Sequence, residues 1–301
     1  MSSSGDLLPP EILLRVFQWL PQVDLLQMSL VCQQWHIVAM DSTLWTHITW
    51  ETELACRWMM VTLPHYQALL KRPQFCAMRK LKPPSRKGTC ITLNIVRDLS
   101  ESCPHIQTLD LSCWDAYATE LHHFADIRSL RGVWFGSIKS ESHAHLKLCE
   151  AMGTSMIDLR VRSISWHDTD ALLKLLQKVS TSCVNVKILY AHVPLYNGLC
   201  GQVVAVLKRF THLQVLSLCW REGTDSTHWQ DIYEEIVQGC ENNAFRELRT
   251  IVFTQRDYAR LRKPLKRKLR KLGLLEVRND PGTYPHLFPD AVLDYSQLSS
   301  N

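Results

Sequence analysis

Seven times between Ile106 and Val277 the chain spells apolar-x-x-apolar-x-apolar: IQTLDL from Ile106, LRGVWF from Leu130, MIDLRV from Met156, VKILYA from Val186, LQVLSL from Leu213, LRTIVF from Leu248 and LGLLEV from Leu272. Successive starts lie 24, 26, 30, 27, 35 and 24 residues apart. In a chain that is 46% hydrophobic the pattern alone recurs by chance, so spacing and context must carry it. Three residues ahead of each match stand Cys103, Ile127, Gly153, Cys183, Phe210, Phe245 and Leu269, six of them apolar. Between matches run helix-like stripes, such as Ala171, Leu172, Leu175, Leu176 and Val179, or Val203, Val204, Leu207 and Phe210. A strand-helix unit this short cannot bury its apolar side alone. It must bury that side on its neighbours, which predicts a solenoid with parallel strands inside and helices outside.

That architecture fixes a register. The residue between the second and third apolar strand positions points out of the concave face, because side chains alternate along a strand. The row reads Asp110, Trp134, Arg160, Tyr190, Ser217, Val252 and Glu276; two residues further on, a second row includes Arg162 and His192. The middle repeats bring Trp134, Arg160, Arg162, Tyr190 and His192 together as a candidate substrate-binding patch. Aromatic rings and arginines carry much of the energy at interfaces, and a guanidinium grips a carboxylate or phosphate with two hydrogen bonds, so an acidic or phosphorylated segment suits the patch.

The first 40 residues pose a different problem. Pro10 suits the first turn of a helix and Pro21 closes it after Leu20; Asp24 is placed to cap a second short helix from Leu25, and a third is expected from about Ser29 to Met40. Ile12, Leu13, Val16, Phe17 and Leu20 share one helical face, whereas Leu14 and Trp19 fall off it. Forty residues cannot cover that many apolar side chains, so something else must.

The ordered positions Leu8-Pro9, Glu11-Ile12, Val16-Phe17, Leu20-Pro21, Asp24-Leu25-Leu26, Ser29, Val31-Cys32, Trp35, Asp41 and Leu44-Trp45 resemble an F-box. The resemblance covers roughly residues 5 to 48 and implies docking on a SKP-type adaptor, and through it on the cullin scaffold and RING subunit of an SCF ubiquitin ligase. It implies that Leu8, Pro9, Ile12, Phe17, Leu20, Leu25, Leu26, Val31 and Trp35 face the adaptor or support the face that does. Pro10 departs from the family, which more often has an acidic or small polar residue there. The phrases SESCPHIQTLDLSC and STSCVNVKILYA resemble the leucine-rich repeats that follow the F-box in the F-box/LRR family. The other units are degenerate, with Trp114, Ile164 and Pro194 where the family has Asn or Cys.

The expected fold is α/β: a three-helix F-box (5–48), a helical linker with a degenerate first repeat (49–88), a short irregular leucine-rich-repeat solenoid (89–280) and a C-terminal cap or tail (281–301). The expected function is the substrate-recognition subunit of an SCF ligase. A non-catalytic repeat scaffold, or a nucleic-acid-associated protein outside a ligase, is the alternative.

Walker, Gly-x-Gly-x-x-Gly, His-Glu-x-x-His and nucleophile-elbow motifs are all missing, so catalysis, a cofactor and a metal are not expected. His122-His123, His143-x-His145, Asp168 and Asp170 read as surface residues, lacking further ligands at metal-binding spacing. Eleven cysteines without a Cys-x-x-Cys pair suggest a reducing compartment, cytoplasmic or nuclear, with Cys103 and Cys183 as small core residues. No run of about 18 apolar residues suggests a membrane span. Nine of the sixteen residues from Arg256 to Lys271 are Lys or Arg. Leu261, Leu265 and Leu269 predict a helix with a buried stripe and a solvated basic face, delayed or kinked by Pro264. A localisation signal or nucleic-acid patch is the sharper reading.

Overall fold

The computed structural model describes residues 8–49, 71–82, 93–111, 121–138, 143–164, 169–193, 200–220 and 226–278. Three short helices open the chain: α1 (Pro10–Phe17), α2 (Gln22–Met28) and α3 (Gln33–Ala39). Among the described residues nine strands follow: β1 (His47–Thr49), β2 (Lys80–Lys82), β3 (Thr108–Leu111), β4 (Gly132–Ile138), β5 (Asp158–Ile164), β6 (Ile188–Val193), β7 (Val215–Trp220), β8 (Thr250–Thr254) and β9 (Leu275–Arg278). They form one parallel sheet whose strand order is the sequence order. Helices Leu93–Ser102, His143–Met152, Thr169–Ser182, Cys200–Leu207 and Ser226–Glu241, or 3-10 turns, lie between the later strands.

Each of the seven sequence matches overlaps a strand, and the expected row is the observed register. Asp110 pairs with Trp134, Trp134 with Arg160, Arg160 with Tyr190, Tyr190 with Ser217, and Val252 with Glu276. Within the segment 49–88, expected to hold a degenerate first repeat, lies β2, whereas β1 had no repeat signal to reveal it. Successive units are stitched by a recurring acceptor: the carbonyl just ahead of a strand takes two N–H groups from the next unit. Gln107 accepts from Arg131 and Gly132, Arg131 from Ile157 and Asp158, and Ile157 from Lys187 and Ile188.

Alternation along the strands sorts the side chains. Leu109, Val133, Leu159, Leu189, Leu216 and Ile251 join the main core, together with Leu148, Leu176, Val179, Leu207 and Ile236 of the helices behind. The position three residues before each match is buried as expected at Cys103, Ile127, Cys183, Phe210, Phe245 and Leu269. The exception, Gly153, sits at φ +49°, where a residue without Cβ is least strained.

Three expectations at the N-terminus need correcting. The first helix ends at Phe17, and turn hydrogen bonds from Trp19 to Val16 and from Leu20 to Phe17 finish the segment. Helix α2 starts at Gln22 with Pro21 at its N-cap, so Asp24 lies in its first turn and is not the cap. Cys32 is fully extended (φ −160°, ψ 171°), which confines α3 to Gln33–Ala39. The core of these helices is continuous with that of the sheet. Trp45 donates its indole N–H to the Ala39 carbonyl at 2.8 Å and meets Phe75 edge-on at 5.4 Å.

The basic run forms two helices, Gln255–Arg260 and Lys263–Lys271, with Pro264 in the first turn of the second. Leu261, Leu265 and Leu269 are buried, as the four-residue spacing predicted. His145 is a correction: expected at the surface, it is 3% exposed and stands edge-on to Phe135 at 4.5 Å. Asp168 lies outside the described residues, as does segment 281–301.

Candidate functional site

Helix α1 carries two apolar stripes one residue apart, and a one-residue offset is about 100° around a helix. Leu13 and Phe17 point inward and are each 2% exposed; Ile12 and Val16 point outward, at 44% and 49%. The shared face expected for these four residues is thus split between core and solvent. Leu8 at 52% precedes the outer stripe and Trp19 at 88% follows it in the turn. Leu30, Val31 and Ile37 add to the exposed apolar surface. Seven of the ten exposed large apolar side chains among the described residues fall between Leu8 and Ile37.

The inner stripe explains how so small a unit keeps its shape. Phe17 meets Trp35 edge-on at 5.5 Å, and Leu13, Phe17, Leu25, Val38 and Ala39 belong to the main core. Gln34 donates to the Leu8 carbonyl at 3.0 Å, holding the entry to α1 against α3. Of the nine residues assigned to this site from sequence, Leu8, Pro9, Ile12 and Val31 are exposed. Leu20, Leu26 and Trp35 are half-buried, and Phe17 and Leu25 are core. Val16, Trp19, Leu30 and Ile37 were not among the nine. Their signal was in the sequence all the same, as surplus apolar residues off the stripe that the unit's own core can use.

The second predicted site takes a different form. Trp134, Arg160 and Tyr190 are neighbours on β4, β5 and β6, as the register required. Arg160 lies between the two rings, its guanidinium carbon 4.1 Å from the Trp134 ring and 4.7 Å from that of Tyr190. Lys80 lies over Trp134 at 4.0 Å. Asp158, two residues back on the same strand, takes hydrogen bonds from Arg160 Nε at 2.9 Å and Nη2 at 2.8 Å. Here the open patch expected from sequence is corrected. Trp134, Arg160 and Tyr190 are 5%, 2% and 2% exposed, and Asp158 is 1%. Arg160 already holds a carboxylate, so its most obvious acidic ligand is internal. Arg162 and His192 lie on β5 and β6, and their side chains are outside the described residues.

The buried cysteines behave as packing residues. Burial pushes the Cys103 thiol up to about 12, with Cys76 adding to the shift, and pushes Cys183 up to about 12. Cys183 donates its thiol to the Cys149 carbonyl at 3.1 Å. Among the described residues no cluster of three or more His, Cys, Asp or Glu could hold a metal ion. No helix there is long and apolar enough to cross a membrane.

No curated protein matches the chain. Residues 6–49, which contain both stripes of α1 and all of α2 and α3, match the family model described as F-box-like. F-box domains bind SKP-type adaptors, which suggests a role in SCF-type ubiquitin ligase complexes. The outward apolar surface therefore belongs to an F-box-like domain, and the chain carries the mark of an F-box protein.

Proposed function

We propose that this chain is the substrate-recognition subunit of an SCF ubiquitin ligase. In this reading the F-box-like domain holds the adaptor, the strand-helix region is a leucine-rich-repeat solenoid that holds a target, and other subunits perform the transfer. The chain's contribution is positioning, because it raises the effective concentration of a substrate lysine near the transfer enzyme. The observation that carries the reading is the exposed stripe Leu8, Ile12, Val16 and Trp19, with Leu30, Val31 and Ile37, on the domain that matches the family. Exposed apolar side chains concentrated in one small domain in this way mark interaction sites. Nine parallel strands in sequence order, each paired with its neighbour in the chain, support the repeat reading.

Co-purification with a SKP-type adaptor and cullin is the test. Ile12→Asp with Val31→Asp replaces two exposed apolar contacts and leaves the inward stripe untouched. The pair should abolish adaptor capture while the melting temperature stays within a degree or two. Capture that survives both substitutions would sink the assignment.

A further inference from the structure

Behind the sheet, helix His143–Met152 packs on Thr169–Ser182, and that helix in turn on Cys200–Leu207. Leu148, Leu176, Val179 and Leu207 tie the three to the core. On the other side of the middle helix, Lys174, Gln177, Lys178 and Thr181 follow i, i+3, i+4, i+7, and all four are exposed. Beside them stand Lys147 and Glu150, one turn apart on the preceding helix, and Arg209, just past the end of the following one. With half-buried Leu146 these side chains line an open groove of about 810 Å³.

We infer that this groove binds an acidic segment of a partner protein, an extended stretch carrying several Asp or Glu residues. Charge argues first. Four cations meet one carboxylate in the groove, and that carboxylate, Glu150, already pairs with Lys178. Among the described residues Lys147, Lys174 and Arg209 have no acidic partner. The helix dipole does not account for the lysines, since none of Lys147, Lys174 and Lys178 lies in the last turn of its helix. Solubility does not account for them either, because a surface that is merely solvated intersperses the two signs. Here the signs are sorted: the next helix, Ser226–Glu241, exposes Asp231, Glu234, Glu235 and Glu241 and carries no Lys or Arg. That acidic stripe is answered within the chain, where Arg262 approaches Glu234 at 3.4 Å and Asp231 at 4.0 Å. The three cations of the groove are left for charge from outside.

Shape selects the partner. A recess lined by one sign of charge focuses its field, which a convex helix surface does not. The cations come from three successive units, so the groove spans two helix spacings of about 9 Å each, which is the reach of about five to six extended residues. Single lysine charges spread over that length match carboxylates spaced along a peptide. A phosphate would call for guanidiniums converging on it, and Arg209 is the one arginine in the lining among the described residues. Single-stranded nucleic acid binds on aromatic platforms, and no ring lines the groove among the described residues. Gln177 adds an amide that can both donate to and accept from a peptide backbone. The binding stands whether or not the chain serves a ligase; that the segment belongs to a target rests on the proposed function.

The experiment titrates the full chain into fluorescein-labelled hexaglutamate at low salt and reads anisotropy. Saturable binding is expected, weakened by about tenfold or more in Lys147→Gln/Lys174→Gln/Arg209→Gln and by no more than about twofold in Lys266→Gln/Arg267→Gln/Lys268→Gln, which removes the same charge elsewhere. No binding by wild type, or equal loss in the two variants, overturns the inference. The three groove residues are exposed, so the melting temperature of the first variant should match wild type. A second measurement needs no variant: carbodiimide coupling of hexaglutamate to the wild-type chain should form amides at Lys147 or Lys174, located by mass spectrometry. Amides found only at other lysines overturn the inference. Tighter binding of oligothymidylate that the first variant loses would make the groove a nucleic-acid site, and self-association that this variant loses would make it a contact between copies; either result overturns the inference. None of these readouts needs adaptor, so failure here leaves the ligase reading to its own test.

Discussion

The N-terminal helices and the strand region are similarly rich in apolar residues and use them in opposite ways. From Leu8 to Ile37 one α1 stripe is core and its neighbour is left in water. From β3 to β8 the described strand side chains are buried on both faces, apart from half-buried Val215, Thr250 and Thr254. Size accounts for part of the contrast, since a 40-residue unit has too little volume to hide two stripes, whereas stacked units hide each other's. The lesson is that buried apolar surface here reports architecture, and exposed apolar surface reports partnership.

The contrast breaks most sharply at the buried ion pair. Asp158→Leu leaves the Arg160 guanidinium without its carboxylate in a site that is 2% exposed, and removing one partner of such a pair costs about 3–5 kcal/mol. Chemical denaturation should show that loss, and the Asp158→Leu/Arg160→Leu double variant should recover most of it. Equal damage from the double variant would mean that the pair itself, and not the stranded charge, holds the face together.

A smaller effect tests whether the two regions are one folding unit. Trp45→Leu removes the hydrogen bond to the Ala39 carbonyl and the edge contact with Phe75, for a loss of about 2–3 kcal/mol. A shared core predicts a single, shifted transition. Two separate transitions would show that the F-box-like domain melts alone.

The sequence revealed these regions unequally. The register row was legible because the strand period is two and every match carries the same three apolar positions, so a wrong register would have put Leu109 and Val133 on the wrong face. The burial of the row was illegible, because the strand period says which side chains share a face and not whether that face is exposed. On α1 the apolar pattern located the helix but could not say which stripe faces inward, since Ile12 and Leu13 are equally apolar. Boundaries went astray where backbone geometry outranked side-chain capping, at Pro21 against Asp24 and at extended Cys32. His145 was misread because polar neighbours suggested a turn, whereas the helix His143–Met152 turns it onto Phe135.

The thiols sharpen the contrast chemically. Cys103 and Cys183 stand near 12 in the folded chain against an ordinary value of 9.0. The folded state thus keeps protons that the unfolded chain releases. Their contribution is complete below about pH 9 and is lost as pH rises towards 12, at a slope of at most about 1.4 kcal/mol per pH unit for each thiol. Comparing wild type with Cys103→Ala/Cys183→Ala isolates this from other alkaline titrations, and the variant should show the shallower decline. Cys32 and Cys76, which are exposed, should react with iodoacetamide well before either buried thiol.

The smallest stability effect belongs to the helix Lys263–Lys271, which shows both habits on one element. Leu265 and Leu269 are buried, so the helix is anchored, while Lys263, Arg267, Lys268 and Lys271 face water. Part of the charge is already engaged: Arg262 approaches Glu234 at 3.4 Å and Lys266 lies over the Tyr258 ring at 4.7 Å. Neutralising Lys266, Arg267 and Lys268 to Gln together should change stability by no more than about 0.5 kcal/mol, because exposed charges contribute little. If the face only keeps the helix solvated, localisation and salt-sensitive RNA retention will match wild type. A shift in either would make this basic surface a second interface, built on charge where the F-box-like domain uses exposed apolar residues.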